Sequence, residues 1–243
     1  MSETSVNKKK SDRFWIEKRD LDFPFYNDES FGKKENLILL SGIVLFTVWT
    51  VLSQYVTLPR AVRVIGFFVI PTIPYLIVAK WSFSPIVKKF RLYDIVLIVG
   101  GAFLEFFGSL VMASFLIKIG FISAGSVKPN PAVGVEHDFL FFIGLIIQLF
   151  GEEMVKLIVF FLVMNVLYKK TQKRKFSAFI AILVSSIFFG LLHYWTYENL
   201  ILCIMVQGLT SAMISFYLYV RSKNILVTFG AHFLLDLLAI MGS

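Results

Sequence analysis

Several ionisable side chains lie inside long apolar runs in the second half of the chain. They are Glu152, Glu153, Lys156, His193, His232 and Asp236. A charge at the centre of a bilayer costs about 3 kcal/mol or more, so residues of this kind are functional candidates by default. A carboxylate beside a histidine can hold and deprotonate a water molecule, and a second histidine can donate to a developing oxyanion. These residue types therefore indicate hydrolysis by an activated water.

Two alternative interpretations use the same residues. Glu152, His193 and His232 could bind a divalent metal such as zinc, which would acidify the water, so the cofactor stays open. Lys156 could instead form a purely structural ion pair with either glutamate across one helical turn. The HExxH arrangement of many zinc proteases and the GxSxG signature of serine hydrolases are both absent from the sequence.

Polar residues recur every four positions in the last four apolar segments, and residues four apart share a helical face. The four sets are Gln148, Glu152 and Lys156; Ser185, Phe189 and His193; Gln207, Ser211 and Ser215; and Thr228, His232 and Asp236. Aligned polar stripes on neighbouring helices predict a shared polar interior. For the serines and the threonine, ordinary helix packing is the competing interpretation, because small hydroxylated residues are common at helix interfaces in membranes.

The composition is that of a membrane protein, with 57% hydrophobic and 16% charged residues and a mean hydropathy of +0.77. The apolar residues form long segments, and a helix is the local structure that satisfies the backbone of such a segment in lipid. The segments are Leu37–Val56, Ala61–Ala79, Tyr93–Ile117, Phe139–Leu167, Phe176–His193, Leu200–Val220 and Ile225–Met241. We therefore predict an all-α, polytopic membrane bundle of about seven transmembrane helices.

Lysine and arginine residues are distributed unevenly between the ends of these segments. Nineteen lie in the N-terminal tail and in the connections 80–91, 169–175 and 221–223, against four on the opposite side. The positive-inside rule then predicts that the N-terminus lies in the cytosol and the C-terminus outside. We expect the membrane to be the cell membrane of a bacterium.

We predict three regions along the chain. They are a basic cytosolic tail (1–36), accessory transmembrane helices with an outer loop (37–138), and a core that carries the chemistry (139–243). The cluster Lys8-Lys9-Lys10 in the tail favours contact with anionic lipid. We expect no nucleic-acid partner.

Three short motifs follow one another on the predicted core helices. They read Glu152-Glu153-x-x-Lys156, Phe189-x-x-x-His193 and His232-x-x-x-Asp236. In this order they resemble the motifs of the CAAX-protease and bacteriocin-processing (CPBP, or Abi) family of intramembrane proteases, over residues Phe139 to Ile240. The resemblance implies a four-helix catalytic core.

The resemblance also implies a role for each matching residue. Glu152 and His193 would activate the water, Glu153 would support the first motif, and His232 and Asp236 would form the oxyanion-binding side. Lys156 and Phe189 would hold supporting positions. Members of the family have been described both as metalloproteases and as glutamate proteases, so the resemblance does not choose a cofactor.

Two positions depart from the family pattern. The usual first motif is Glu-Glu-x-x-x-Arg, whereas here Lys156 stands one place earlier and Leu157 takes the place of the arginine. This spacing is closer to the related PrsW branch, which cleaves an anti-sigma factor. Asp236 stands where asparagine is common. An ionised aspartate cannot donate to an oxyanion, so Asp236 must be protonated or must orient His232.

The predicted function is an intramembrane endopeptidase whose partner is a membrane-anchored or lipid-associated peptide or protein. Peptide maturation, bacteriocin immunity and cleavage of a membrane-anchored regulator are the uses that the family suggests. The alternative is a non-catalytic bacteriocin-immunity or scaffold protein with the same fold, as in a similar gamma-secretase subunit. An ion-coupled carrier is a third class, but the inverted repeats typical of carriers are not found in the sequence.

The depth of the last motif presents a geometric difficulty. Glu152 and His193 each lie about 25 to 27 Å from the basic end of their helix, whereas His232 lies only about 13 Å from Lys223. The last helix must therefore be tilted, broken, or begin deeper in the bundle than its sequence suggests.

Overall fold

The computed structural model describes residues 12–17, 20–28, 31–128, 133 and 136–242, and regular structure in this part of the chain is helical throughout. The elements are α1 (Lys33–Tyr55), α2 (Arg60–Val78), α3 (Leu92–Lys118), a short 3-10 turn (Ala124–Ser126), α4 (Phe139–Thr171), α5 (Arg174–Leu192), α6 (Tyr194–Tyr197), α7 (Leu200–Leu202), a π-helix (Cys203–Ala212), α8 (Met213–Ser222) and α9 (Ile225–Met241). The predicted all-α bundle is confirmed. Each predicted segment corresponds to a helix or to the continuous rod from α7 to α8.

Five stretches of the described chain are long and apolar enough to cross a membrane. They are α1, α2, α3, Arg174–Tyr197 and Leu200–Ser222. Two further helices complete the bundle: α4 has 33 residues and carries the buried pair Glu153 and Lys156, and α9 is a shorter apolar helix of 17 residues. The protein is therefore an integral membrane protein.

Helix α4 is the centre of the bundle, and it packs against α1, α2, α5 and α9. Its middle turns, including Met154 and Phe160, are fully buried in the largest apolar cluster. Gly151 is required for this packing, because a Cβ atom there would lie 2.1 Å from the carbonyl oxygen of Phe67 on α2. The close backbone contact fixes the position of α2 beside the turn that carries Glu152.

The first described residues, 12–17 and 20–28, are here called the N-terminal segment. Phe23 and Tyr26 of this segment are buried in the main apolar cluster. Glu17 accepts hydrogen bonds from Nη1 and Nη2 of Arg174 at 2.8 Å each and from Lys223 Nζ at 2.9 Å. The predicted lipid-binding cluster Lys8-Lys9-Lys10 lies outside the described residues.

Helix α9 begins inside the protein. Asn224, which caps it, is fully buried and exchanges hydrogen bonds with the backbone N–H and carbonyl of Lys88. The N–H of Ile225 donates to the carbonyl of Ile86 at 2.9 Å, and the Lys223 ammonium lies 3.8 Å from the centre of the Phe23 ring. The last helix therefore begins deeper, beneath the N-terminal segment, and this resolves the depth difficulty.

Candidate active site

The two consecutive glutamates of α4 lie in different environments. Successive residues of a helix point about 100° apart, so Glu152 and Glu153 cannot share one face. Glu152 is half-buried and lines a cavity, where Gln148 Nε2 donates to its Oε1 at 3.0 Å. Glu153 is only 2% exposed and faces α8 and α9. Only the first glutamate is thus open to a substrate or a water from the cavity.

Glu153 is the centre of a buried polar cluster. Its Oε1 lies 2.5 Å from Lys156 Nζ and 2.8 Å from His232 Nδ1. Ser215 on α8 accepts from Lys156 Nζ at 3.0 Å and donates to Glu153 Oε2 at 3.2 Å. Ser185 on α5 donates to the backbone carbonyl of Lys156 at 2.7 Å. The cluster therefore joins two residues of α4 to one residue each from α5, α8 and α9, and Lys156 pairs with the second glutamate.

His193 lies at the C-terminal end of α5, half-buried at the wall of the cavity. Its Nδ1 lies 2.8 Å from the backbone carbonyl of Phe189. A carbonyl only accepts, so Nδ1 carries the proton and Nε2 is the nitrogen that can take one. The Phe189 ring packs against His193 at 4.5 Å between centroids and lies 4.7 Å from the Lys156 ammonium. Phe189 therefore separates the buried ion pair from the cavity histidine.

His232 and Asp236 lie one turn apart on α9, and both line the same cavity as Glu152 and His193. The Nδ1 of His232 contacts Glu153, so Glu153 makes the orienting contact that the sequence analysis offered to Asp236. A carboxylate behind an imidazole fixes the orientation of the ring. The ring nitrogen Nε2 is then the one that can act toward the cavity.

The π-helix passes close to α5. A Cβ atom on Gly190 would lie 2.5 Å from the carbonyl oxygen of Cys203, and one on Gly208 would lie 2.7 Å from that of Ser186. Such close approach is possible only for glycine at both positions. The contact holds Gln207 and Ser211 at the cavity wall, opposite α4. Widened helical turns of this kind occur frequently at functional sites.

Glu105 on α3 is a further buried carboxylate. It is 1% exposed, and Ser211 Oγ donates to its Oε2 at 3.0 Å. It does not line the cavity. The contact joins α3 to the π-helix, behind the wall of the site.

The cavity has a volume of about 790 Å³ and reaches the surface at Arg60, Arg63 and Trp195. It occupies the half of the bundle that contains the end of α1, the start of α2 and the first half of α4. The sequence analysis did not identify the two arginines. The available signal was their spacing, Arg-x-x-Arg, on the face with few basic residues.

The three possible metal ligands, Glu152, His193 and His232, are not arranged to coordinate one ion. Among the described residues, no group of three or more His, Cys, Asp or Glu side chains is positioned to hold a metal ion. His232 turns Nδ1 toward Glu153, and the adjacent Lys156 ammonium already neutralises that carboxylate. The described side chains at this site therefore do not fit a metal ion.

Comparison with known proteins gives one match. The family model for type II CAAX prenyl endopeptidase Rce1-like proteins matches residues 136–238, which contain all three motifs. No curated protein matches the chain, and no solved structure matches it. Over residues 136–238 the chain is therefore similar to the CAAX protease (CPBP) family, as its three motifs predict.

Proposed function

We propose that this protein is an intramembrane endopeptidase that hydrolyses a peptide bond of a membrane-associated protein or peptide with a water activated by Glu152 and His193. The observation that carries the proposal is the separation of the two glutamates. Glu152 is open to the cavity, together with His193, His232 and Asp236, while Glu153 is buried and ion-paired. The family of residues 136–238 consists of endopeptidases, which supports the same activity.

In the first step, Glu152 takes a proton from the water, and Nε2 of His193 holds that water by accepting its second hydrogen. The water oxygen forms a bond to the carbonyl carbon of the substrate, and the π electrons of the C=O bond move to the carbonyl oxygen. This gives a tetrahedral oxyanion. Gln148 keeps Glu152 in place through its bond to Oε1, which leaves Oε2 for the water.

In the second step, the oxyanion is stabilised and then collapses. Nε2–H of His232 donates to the oxyanion, and the negative Glu153 behind the ring stabilises the protonated form of the imidazole that such donation requires. Protonated Asp236 can supply a second donor. When the C–N bond breaks, the proton held by Glu152 passes to the leaving amine. The products are a carboxylic acid and an amine, and the water is consumed.

Lys156 and Phe189 support this chemistry. Lys156 keeps Glu153 ionised by direct contact at 2.5 Å. Phe189 shields that pair from the cavity and packs against His193.

The test compares new N-termini of membrane and secreted proteins in cells that make the wild type, Glu152→Gln or Glu136→Gln at equal levels. Loss of a general base lowers the rate by about 100-fold or more, so we expect new N-termini with the wild type and none with Glu152→Gln. Glu136 is an exposed carboxylate outside the cavity lining, so Glu136→Gln should behave as the wild type. Equal biological activity of all three proteins without new N-termini would contradict proteolysis and favour the scaffold alternative.

A further inference from the structure

Two arginines stand at the mouth of the cavity that contains Glu152 and His193. Arg60 is the first residue of α2, and Arg63 follows one turn later. Both are exposed, and both line the cavity. They lie at the end of the bundle opposite the lysine-rich connections. The general concentration of basic residues on that other side therefore does not account for them.

The positive charge of both arginines is uncompensated in the described part of the chain. Neither guanidinium lies within ion-pair distance of a described carboxylate, and the first turn of α2 has no acidic residue. Arg60 instead stacks on the Phe141 ring, 4.9 Å from its centroid. The third cation of the lining, Lys128, is already paired with Glu198 at 2.9 Å.

The position of Arg60 sets a distance from the candidate catalytic groups. Its guanidinium lies against α4 at Gly144, where an added Cβ atom would be 3.6 Å from Nη2. Glu152 follows eight residues later on the same helix, which corresponds to about 12 Å along the axis. An extended peptide advances about 3.3 Å per residue. An anionic group held at Arg60 would therefore be separated from a carbonyl beside Glu152 by about three to four residues.

We propose that Arg60 and Arg63 form an anion subsite that binds a carboxylate of the substrate about three to four residues from the bond that is cleaved. A guanidinium binds a carboxylate through two parallel hydrogen bonds. The carboxylate is either the C-terminus of the substrate or an Asp or Glu side chain, because both offer the same chemistry. The carboxylate of Glu152 in the interior repels the same group, so the mouth and the interior together orient the substrate. This inference rests on the proposed function.

The test measures binding to the Glu152→Gln protein, so that it does not depend on turnover. Three fluorescent, farnesylated CAAX peptides serve as probes: one with a free C-terminal carboxylate, the same peptide as an amide, and that amide with glutamate as its last residue. Charge-assisted hydrogen bonds predict about tenfold weaker binding of the plain amide. Tighter binding of the first or of the third peptide identifies the source of the carboxylate.

The matched variant adds Arg60→Gln and Arg63→Gln to Glu152→Gln and should bind all three peptides equally. Arg60→Lys, which retains the charge, should preserve the preference in part and shows that the site still folds. Equal binding of all three peptides to Glu152→Gln, a preference that persists without the arginines, or no measurable binding of any peptide would overturn the proposal. Cleavage of the three peptides by the wild type is measured separately. Cleavage without a preference for a carboxylate would support the protease activity and contradict the anion subsite.

Discussion

At the residue scale, two adjacent glutamates have different surroundings because one helical step separates two faces. Glu152 faces an open cavity, and Glu153 is buried beside Lys156 and His232. The spacing that departs from the family pattern is explained by this contact. A lysine three residues after Glu153 lies on the same face of the helix, and its ammonium lies 2.5 Å from the Glu153 carboxylate. Lys156 therefore supplies the positive partner of Glu153, and this ion pair does not require an arginine at position 157.

We predict that Lys156→Met destabilises the protein by about 3 kcal/mol, because it leaves Glu153 as a buried charge without its ammonium partner. The double variant Lys156→Met/Glu153→Gln should recover much of the stability, since neither charge remains. It should not recover peptide cleavage, because His232 then lacks its carboxylate. Thermal unfolding in detergent and a peptide-cleavage assay measure the two effects. A single variant as stable as the wild type would contradict a structural ion pair.

The candidate residues were readable from the sequence because their types and spacing recur in apolar segments where charges are rare. Their partners were not. The sequence allowed Lys156 to pair with either glutamate and left Asp236 either protonated or orienting His232. It did not identify the contact that Glu153, on another helix, makes with His232. Contacts between helices depend on rotation and depth, which the spacing along one helix does not determine.

At the scale of elements, the site depends on the close approach of the π-helix to α5. Gly190 and Gly208 meet at this contact, and the obstacles to a side chain there are backbone atoms, which cannot rotate away. The last turn of α5 leads directly to His193. A displacement at this contact therefore moves a candidate catalytic residue.

We expect Gly208→Ala to destabilise the protein by about 1 to 3 kcal/mol, as overpacking does in a well-packed core. It should also lower the rate of peptide cleavage by more than the loss of folded protein accounts for. Gly100→Ala is the matched control, because nothing lies within 4 Å of a Cβ atom built at Gly100. Thermal unfolding and cleavage are compared for the two alanine variants. Equal melting temperatures and equal cleavage rates of the two variants would show that the helices can separate without loss of stability or activity.

The N-terminal segment is the second element that positions the site. It covers the start of α5 and the turn before α9 through the contacts of Glu17 with Arg174 and Lys223. Burial opposes the ionisation of Glu17, but these two cations outweigh it and lower the pKa of Glu17 to about 2, from 4.5. The folded protein therefore gains stability from Glu17 above about pH 4.5 and loses it as the pH falls toward 2.

We predict that Glu17→Gln costs about 3 kcal/mol at neutral pH, because two buried cations lose a shared partner. It should also flatten the fall in melting temperature between pH 5 and pH 3. Burial lowers the pKa of Lys223 to about 8, so the penalty should shrink at pH 9, where the lysine is neutral. Asp20→Asn is the control, since the Asp20 side chain is 99% exposed. An equal effect of both variants would refute a structural role of the segment.

At the scale of the whole molecule, the cavity and the lysine-rich connections occupy opposite ends. The cavity is lined by the end of α1, the start of α2 and the first half of α4, whereas the connections 80–91, 169–175 and 221–223 are rich in lysine and arginine. The predicted orientation, with the N-terminus in the cytosol, would then open the cavity on the outer side of the membrane.

Labelling of single cysteines checks this orientation. Cys203 is the one cysteine in the sequence and is buried, so Gln54→Cys and Lys170→Cys in a Cys203→Ala background each offer one exposed thiol. In intact cells, a membrane-impermeant maleimide should label Gln54→Cys at the cavity mouth. It should reach Lys170→Cys only after the membrane is permeabilised. The reverse pattern would place the cavity in the cytosol.

The helices themselves were predictable to within about a turn, since long apolar runs in lipid leave the backbone no other local structure. The interruption of the Leu200–Ser222 rod by a π-helix was not predictable, because it follows from contacts with α5 rather than from local propensity. The burial of the N-terminal segment was also missed. Its polar and charged composition resembles that of a solvated tail, and the partners of Glu17 lie on distant helices.

The contacts of Glu17 have a consequence for the biosynthesis of the protein. Arg174 and Lys223 follow Glu17 by 157 and 206 positions, so the ribosome makes the N-terminal segment long before its partners exist. The segment can dock only after the last pair of helices has been inserted. A molecule truncated before α9 therefore lacks part of the surface that the N-terminal segment covers, and one truncated before Lys223 also lacks an ion-pair partner of Glu17.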